Sequence, residues 1–187
     1  AWDERFSGVV PVCSVGNYQA YLGAACCMCE VVPGALRFTE EWALLGLTAP
    51  RGLMVVSATQ DAFQFSVGEA KKSLELTAKV YELTGRPGNL RHAVFDWKHD
   101  YSQAMRETMY GFMNRHLKNA SQDDPIADPP MQTEDPEALR CFPGDSRPDD
   151  WMTIPRFAAS EGRKIVASRE VPAHAEAWRT ESVKRRE

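Results

Sequence analysis

Asp61 and His99 are the residues of this chain best placed to do chemistry together. Each follows a strand-like run. Leu53-Met54-Val55-Val56-Ser57-Ala58 is apolar and partly β-branched, and it gives way to Thr59-Gln60-Asp61. Leu90-Arg91-His92-Ala93-Val94-Phe95 reads as a second strand, followed by Asp96-Trp97-Lys98-His99-Asp100. A serine hydroxyl is a poor nucleophile until an imidazole takes its proton, and that imidazole needs a carboxylate to hold its tautomer. An acid after one strand and a histidine after the next are the closing half of a nucleophile–acid–base order. The opening half is absent, because no Gly-x-Ser-x-Gly occurs in the sequence.

The rival residues are weighed by position. His92 falls inside its strand and is expected to be buried and hydrogen-bonded. His116 follows Arg115 on a helical pattern and is expected to face solvent, and His174 lies in the tail. Asp96 and Asp100 flank His99, but an acid adjacent in sequence is seldom placed to reach the far ring nitrogen, so Asp61 is preferred. Ser14 is the weak nucleophile candidate. It lies in Val12-Cys13-Ser14-Val15-Gly16, after a strand and before a helix, and it precedes Asp61 and His99 in the correct order. Against it, Val12 stands where a strained nucleophile turn needs glycine. Only thirteen residues precede Ser14, too few for a loop that donates an oxyanion amide.

The cysteines are five: Cys13, Cys26, Cys27, Cys29 and Cys141. An odd number with three crowded into four positions is no disulfide framework. Structural zinc takes four converging ligands, which this crowding with no second pair nearby does not supply. A packing role in a helix is expected for Cys26, Cys27 and Cys29. A metal or redox site there is the competing reading. No metal and no cofactor is expected.

The elements that must position Asp61 and His99 follow from pattern. Ser7 to Cys13 reads as a short buried strand, and Pro11 assigns it to an end or edge. A helical stripe of Tyr18, Tyr21, Leu22, Ala25 and Met28 spans 17–30, and a further short helix runs from Phe38 to Leu45. Ser66 and Glu69 form a capping box ahead of Val67, Ala70, Leu74, Ala78 and Tyr81, with Gly85 as the stop. Met105, Met109, Phe112, Met113 and Leu117 share a face of a last helix. Strand, helix, strand, helix predicts an α/β fold with a parallel sheet.

Composition changes near residue 119. Residues 121–150 carry six prolines and seven aspartates, a linker or a loop draped on the surface. The division expected is a core over 1–120, in which 17–47 caps the site, then 121–150, then 151–187 as a tail or the start of a further region. The chain has 187 residues and a net charge of −4, which provides no overall basic field for nucleic acid. No run reaches the roughly 20 apolar residues of a membrane span.

Val10-Pro11-Val12-Cys13-Ser14-Val15-Gly16-Asn17-Tyr18 and Cys26-Cys27-x-Cys29-Glu30-x-x-Pro33-Gly34 resemble a bacterial α/β-hydrolase family related to acetyl xylan esterases and dienelactone hydrolases. Phe95-Asp96-x-x-His99-Asp100-Tyr101-Ser102 and Cys141-Phe142-Pro143-Gly144-Asp145 fit the same pattern. The resemblance covers most of 1–160. It implies that the chain is the C-terminal part of an α/β-hydrolase fold whose N-terminal strands lie outside it. Asp61 is then the triad acid, His99 the base, and the serine lies upstream. The substrate implied is a small-molecule or carbohydrate ester. By itself such a piece is expected to be insoluble or inactive. The alternatives are a non-catalytic hydrolase-like binding module, or a complete but degenerate hydrolase that uses Ser14.

Overall fold

The computed structural model describes residues 3–24, 26, 29, 32–144, 146–169 and 173–184. They fall into two compact units, Ala1–Met131 and Gln132–Glu187. In the first, β1 (Gly8–Val9), β2 (Gly52–Ala58) and β3 (Leu90–Phe95) form a parallel sheet in the order β1-β2-β3. α1 (Tyr18–Gly23) and α2 (Glu41–Gly46) lie between β1 and β2. α3 (Val67–Leu83) lies between β2 and β3, and α4 (Gln103–Lys118) follows β3. This is the mixed α/β class with a parallel sheet flanked by helices.

β2 explains itself residue by residue. Leu53, Met54, Val55 and Val56 are all essentially inaccessible, because the strand is covered on both faces. Leu53 and Val55 pack with Ala70, Leu74 and Tyr81 of α3. Met54, Val56 and Ala58 pack with Met105 and Phe112 of α4. Each fully buried Leu, Met, Val or Phe among them contributes about 1.5–3 kcal/mol of transfer free energy. β1 is shorter than its apolar run predicts. Beyond Val9 it keeps only an isolated bridge, Val12 to Val56, and Val56 N donates to the Pro11 carbonyl at 3.0 Å. A proline has no N–H for the ladder, and Pro11 falls in the irregular stretch after β1 and not within the strand.

Three expectations need correcting. Among the described residues, the stripe predicted over 17–30 forms a helix from Tyr18 to Gly23 alone, where a residue without a side chain propagates a helix poorly. Cys26 and Cys29 therefore lie outside any helix, while Ala25, Cys27, Met28 and Glu30 lie outside the described residues. The capping box at the start of α3 is half made. Ser66 Oγ accepts from Glu69 N at 3.3 Å, but the Glu69 carboxylate turns away to Lys72 (2.6 Å) and Asn17. An ion pair and a buried amide compete better for that carboxylate than one backbone N–H does. His116 does not face solvent. It is half-buried, stacks on Phe112 with ring centroids 4.4 Å apart, and fills the space left by Gly52, where an added Cβ would lie 2.6 Å from its ring.

Residues 121–131 run along α4 as extended chain. Ile126 N donates to the Glu107 carbonyl at 2.9 Å and Asp128 N to the Glu107 carboxylate at 3.1 Å. Arg91 and Arg106 pair with Asp123 and Asp128. The prolines exclude a helix, and the N–H groups of Ile126 and Asp128 find partners on α4 instead. In the second unit, α5 (Ile154–Ala167) is capped by Thr153, whose hydroxyl accepts from Arg156 N. α6 (Ala175–Lys184) follows, with His174 Nδ1 accepting from Ala177 N at 3.3 Å.

Two half-buried imidazoles give the first unit a pH signature. His92 Nε2 meets Ser57 Oγ at 3.0 Å between β3 and β2, and burial, with Lys71 adding to it, holds the ring below its ordinary pKa. Burial and Arg115 do the same to His116, with Asp123 opposing. The unfolded rings take protons near pH 6.5 while the folded rings resist, so below that pH the unfolded state binds more protons. Stability is therefore full above about pH 7 and falls as pH drops through 6.5 and below. Thermal unfolding scanned from pH 8 to 5 should show a flat midpoint and then a decline, shallower in His92→Gln. A midpoint that does not change between pH 7 and 5 contradicts the assignment.

Candidate active site

The ends of β2 and β3 stay side by side past the sheet. Thr59 N donates to the Phe95 carbonyl at 2.9 Å and Gln60 N to the Trp97 carbonyl at 3.0 Å. The chains then diverge, and the next side chains meet. His99 Nδ1 lies 2.9 Å from Asp61 Oδ1 and 3.1 Å from Oδ2. The Asp61 side chain is 0% exposed and that of His99 is 61% exposed, so a sheltered carboxylate supports an open ring. Asp61 Oδ1 also accepts from Ala62 N at 2.7 Å, which fixes the carboxylate. A carboxylate accepts, so the contact selects the neutral tautomer in which Nδ1 carries the hydrogen and Nε2 the lone pair. Phe65 supports the ring from the side, its centroid 5.7 Å from that of His99 and 5.8 Å from that of Tyr21.

The flanking acids are engaged elsewhere. Asp96 accepts from Thr59 Oγ1 at 2.6 Å and from Gln60 Nε2 at 3.1 Å, which lowers its pKa. Asp100 accepts from Trp97 Nε1 and from Tyr101 N, with the same effect. His92 is held by Ser57, and His116 lies against Gly52. Ser14 is half-buried, and among the described residues no hydrogen bond joins it to His99. The left-handed backbone that a nucleophile turn would require falls on its neighbour, since Cys13 has φ +50° and Ser14 has no positive φ.

Cys13 is the residue that sequence reasoning missed. It lies just past the isolated Val12–Val56 bridge, with its N donating to the Val56 carbonyl at 2.9 Å, and it is buried. Its thiol donates to the Asp100 carbonyl at 3.4 Å, and burial, the largest of several causes, raises its pKa. Cys13 Sγ, an Asp61 carboxylate oxygen and a His99 ring nitrogen all lie within 4.8 Å of one another. The signal was available, because Cys13, Asp61 and His99 all stand at carboxyl ends of parallel strands, where ligands gather in such sheets.

Away from the dyad, Cys26 Sγ accepts from Gln64 Nε2 at 3.1 Å. A cavity of about 670 Å³ opens between α1, α2 and α3 and is lined by Gln19, Glu40, Trp42, Phe63, Glu69 and Lys72 among others, but by neither Asp61 nor His99. The Asp61–His99 pair therefore lies at the strand ends, outside this cavity. No helix among the described residues is long and apolar enough to cross a membrane.

No protein-family model matches the chain, and no curated protein matches it. Among solved structures it is similar to the glucuronoyl esterase catalytic domain from Hypocrea jecorina, at 12% sequence identity and a TM-score of 0.49. The match covers 67% of this chain and 41% of that one.

Proposed function

We propose that this chain carries the acid and base of a serine-type carboxylic ester hydrolase. His99 takes the proton from the attacking serine hydroxyl and returns it to the leaving alcohol, and Asp61 orients the ring and stabilises the imidazolium. The nucleophile and the amides for the oxyanion come from residues outside this chain. One observation carries the reading: an exposed imidazole held through Nδ1 by a fully sheltered carboxylate, both at carboxyl ends of adjacent parallel strands. Acylated sugars are the substrate class that the sequence resemblance implies. In this reading 1–120 belongs to the hydrolase domain, with 17–47 over the site.

A fluorophosphonate probe, which phosphonylates only activated serines, tests this. The chain by itself should remain unlabelled. Joined to the residues encoded ahead of Ala1, it should be labelled on a serine of the added part, and His99→Ala should abolish labelling. Labelling of Ser14 in the chain alone would make Ser14 the nucleophile. Folded protein that takes no label in the joined form would leave a hydrolase-like binding module.

A further inference from the structure

We propose that Cys13, Asp61 and His99 form a three-ligand site for Zn²⁺. The three ligand atoms lie within 4.8 Å of one another, so a single point lies within about 2.8 Å of all of them (4.8 Å divided by √3). Zinc bonds sulfur at about 2.3 Å and imidazole nitrogen or carboxylate oxygen at about 2.0–2.2 Å. The closure needed is below about 1 Å for each ligand, within the reach of side-chain rotation.

The donor set favours zinc over harder ions. One thiolate and one imidazole beside a single carboxylate suit a borderline-soft metal, whereas magnesium and calcium take oxygen ligands. Three protein ligands with one position left for water is the arrangement of open zinc sites. Two of the ligands are held in advance. Asp61 Oδ1 is fixed by Ala62 N, and Cys13 is anchored by its own N–H to the Val56 carbonyl. The contact from the thiol to the Asp100 carbonyl, at 3.4 Å, comes from a weak S–H donor and is given up cheaply.

Binding breaks one S–H bond and forms one Zn–S bond, with the proton released to solvent. The imidazole transfers its hydrogen from Nδ1 to Nε2 and gives the Nδ1 lone pair to the ion, while the carboxylate exchanges a hydrogen bond for a coordinate bond. Nothing is oxidised or reduced. If the ester-hydrolase reading above is right, the ion is an inhibitor, because a ring protonated at Nε2 takes no proton from a serine.

The test reads metal uptake and not turnover, so an inactive chain does not count against it. Cys26, Cys27, Cys29 and Cys141 are replaced by serine, which leaves Cys13 as the sole thiol. Cobalt(II) chloride is titrated in, and thiolate-to-cobalt absorption is followed until zinc chloride bleaches it. One equivalent of Co²⁺ should be taken up with a thiolate band. Cys13→Ser should abolish the band, and His99→Ala should weaken uptake about tenfold or more with the far-UV circular dichroism unchanged. A folded sole-thiol protein without the band overturns the proposal, and so does a band that His99→Ala leaves unaltered. Should the quadruple replacement fail to fold, the parent chain and its Cys13→Ser variant are compared. Loss of one bound Co²⁺ supports the site, and equal uptake overturns it.

Discussion

Asp61→Asn should lower kcat for ester hydrolysis about 10⁴-fold in the form joined to its nucleophile, the loss seen when the orienting acid of a serine triad becomes an amide. That is about 5 kcal/mol of transition-state stabilisation. The physical cause lies in the hydrogen at Nδ1. Asp61 presents two oxygens to that nitrogen at 2.9 and 3.1 Å, so only the tautomer with a free Nε2 is held. An amide of the same shape can turn its NH₂ toward Nδ1 and hold the opposite tautomer, which has no lone pair at Nε2. His99→Ala should cost a comparable factor. The double variant should lose little more than either single one, because the two residues act as a unit. Initial rates on an aryl acetate, with circular dichroism to confirm folding, decide this. A drop of less than tenfold in Asp61→Asn would remove Asp61 from the mechanism. Activity in the double variant equal to the product of the two single losses would mean that the pair does not act together.

Gly16→Ala should unfold or severely destabilise the first unit. A Cβ at residue 16 would lie 1.8 Å from the Gln64 carbonyl oxygen and 3.0 Å from its carbon, both backbone atoms. Residue 16 has no freedom to retreat. Its N–H donates to the Glu41 carboxylate at 3.3 Å and its carbonyl accepts from Ser73 Oγ at 2.6 Å, so it is held on both sides. Relief must come from moving the turn that carries Gln64 and Phe65, and Phe65 packs on His99. The expected loss exceeds about 3 kcal/mol, or roughly 6–12 °C in Tm for a chain of this size. Gly88→Ala is the control, since nothing lies within 4 Å of a Cβ there, and it should stay within about 0.5 kcal/mol of the parent. Equal melting of the Gly16 variant and the parent would show that the close approach is relieved at no cost.

The pattern of the chain itself set the frame of the site. Leu53 to Ala58 is apolar at every position but Ser57, the mark of a strand covered on both faces, and β2 spans Gly52–Ala58. Val67, Ala70, Leu74 and Tyr81 repeat at helical spacing, and α3 runs over Val67–Leu83. Met105, Met109 and Phe112 do the same for α4. Such elements are legible because burial is periodic along one segment and needs no knowledge of any other. For the same reason Asp61 and His99 could be named from sequence as residues just past the ends of two strands.

Which groups meet was decided by the fold alone. Leu53 pairs with Leu90 and Ala58 with Phe95, a constant offset of 37, and Asp61 and His99 differ by 38. That near equality carries both side chains to the same level above the sheet, while Asp96 and Asp100 are drawn off by Thr59, Gln60, Trp97 and Tyr101. The segment after β1 adds Cys13, whose sulfur no local pattern relates to residues 48 and 86 positions away. His116 was misplaced for the same reason: the absent side chain of Gly52, 64 positions earlier, makes room for its ring. A sequence states which face of an element is apolar, because that is a property of consecutive residues. Distances between side chains on different elements depend on the pairing register and the crossings, which exist only once the sheet has formed.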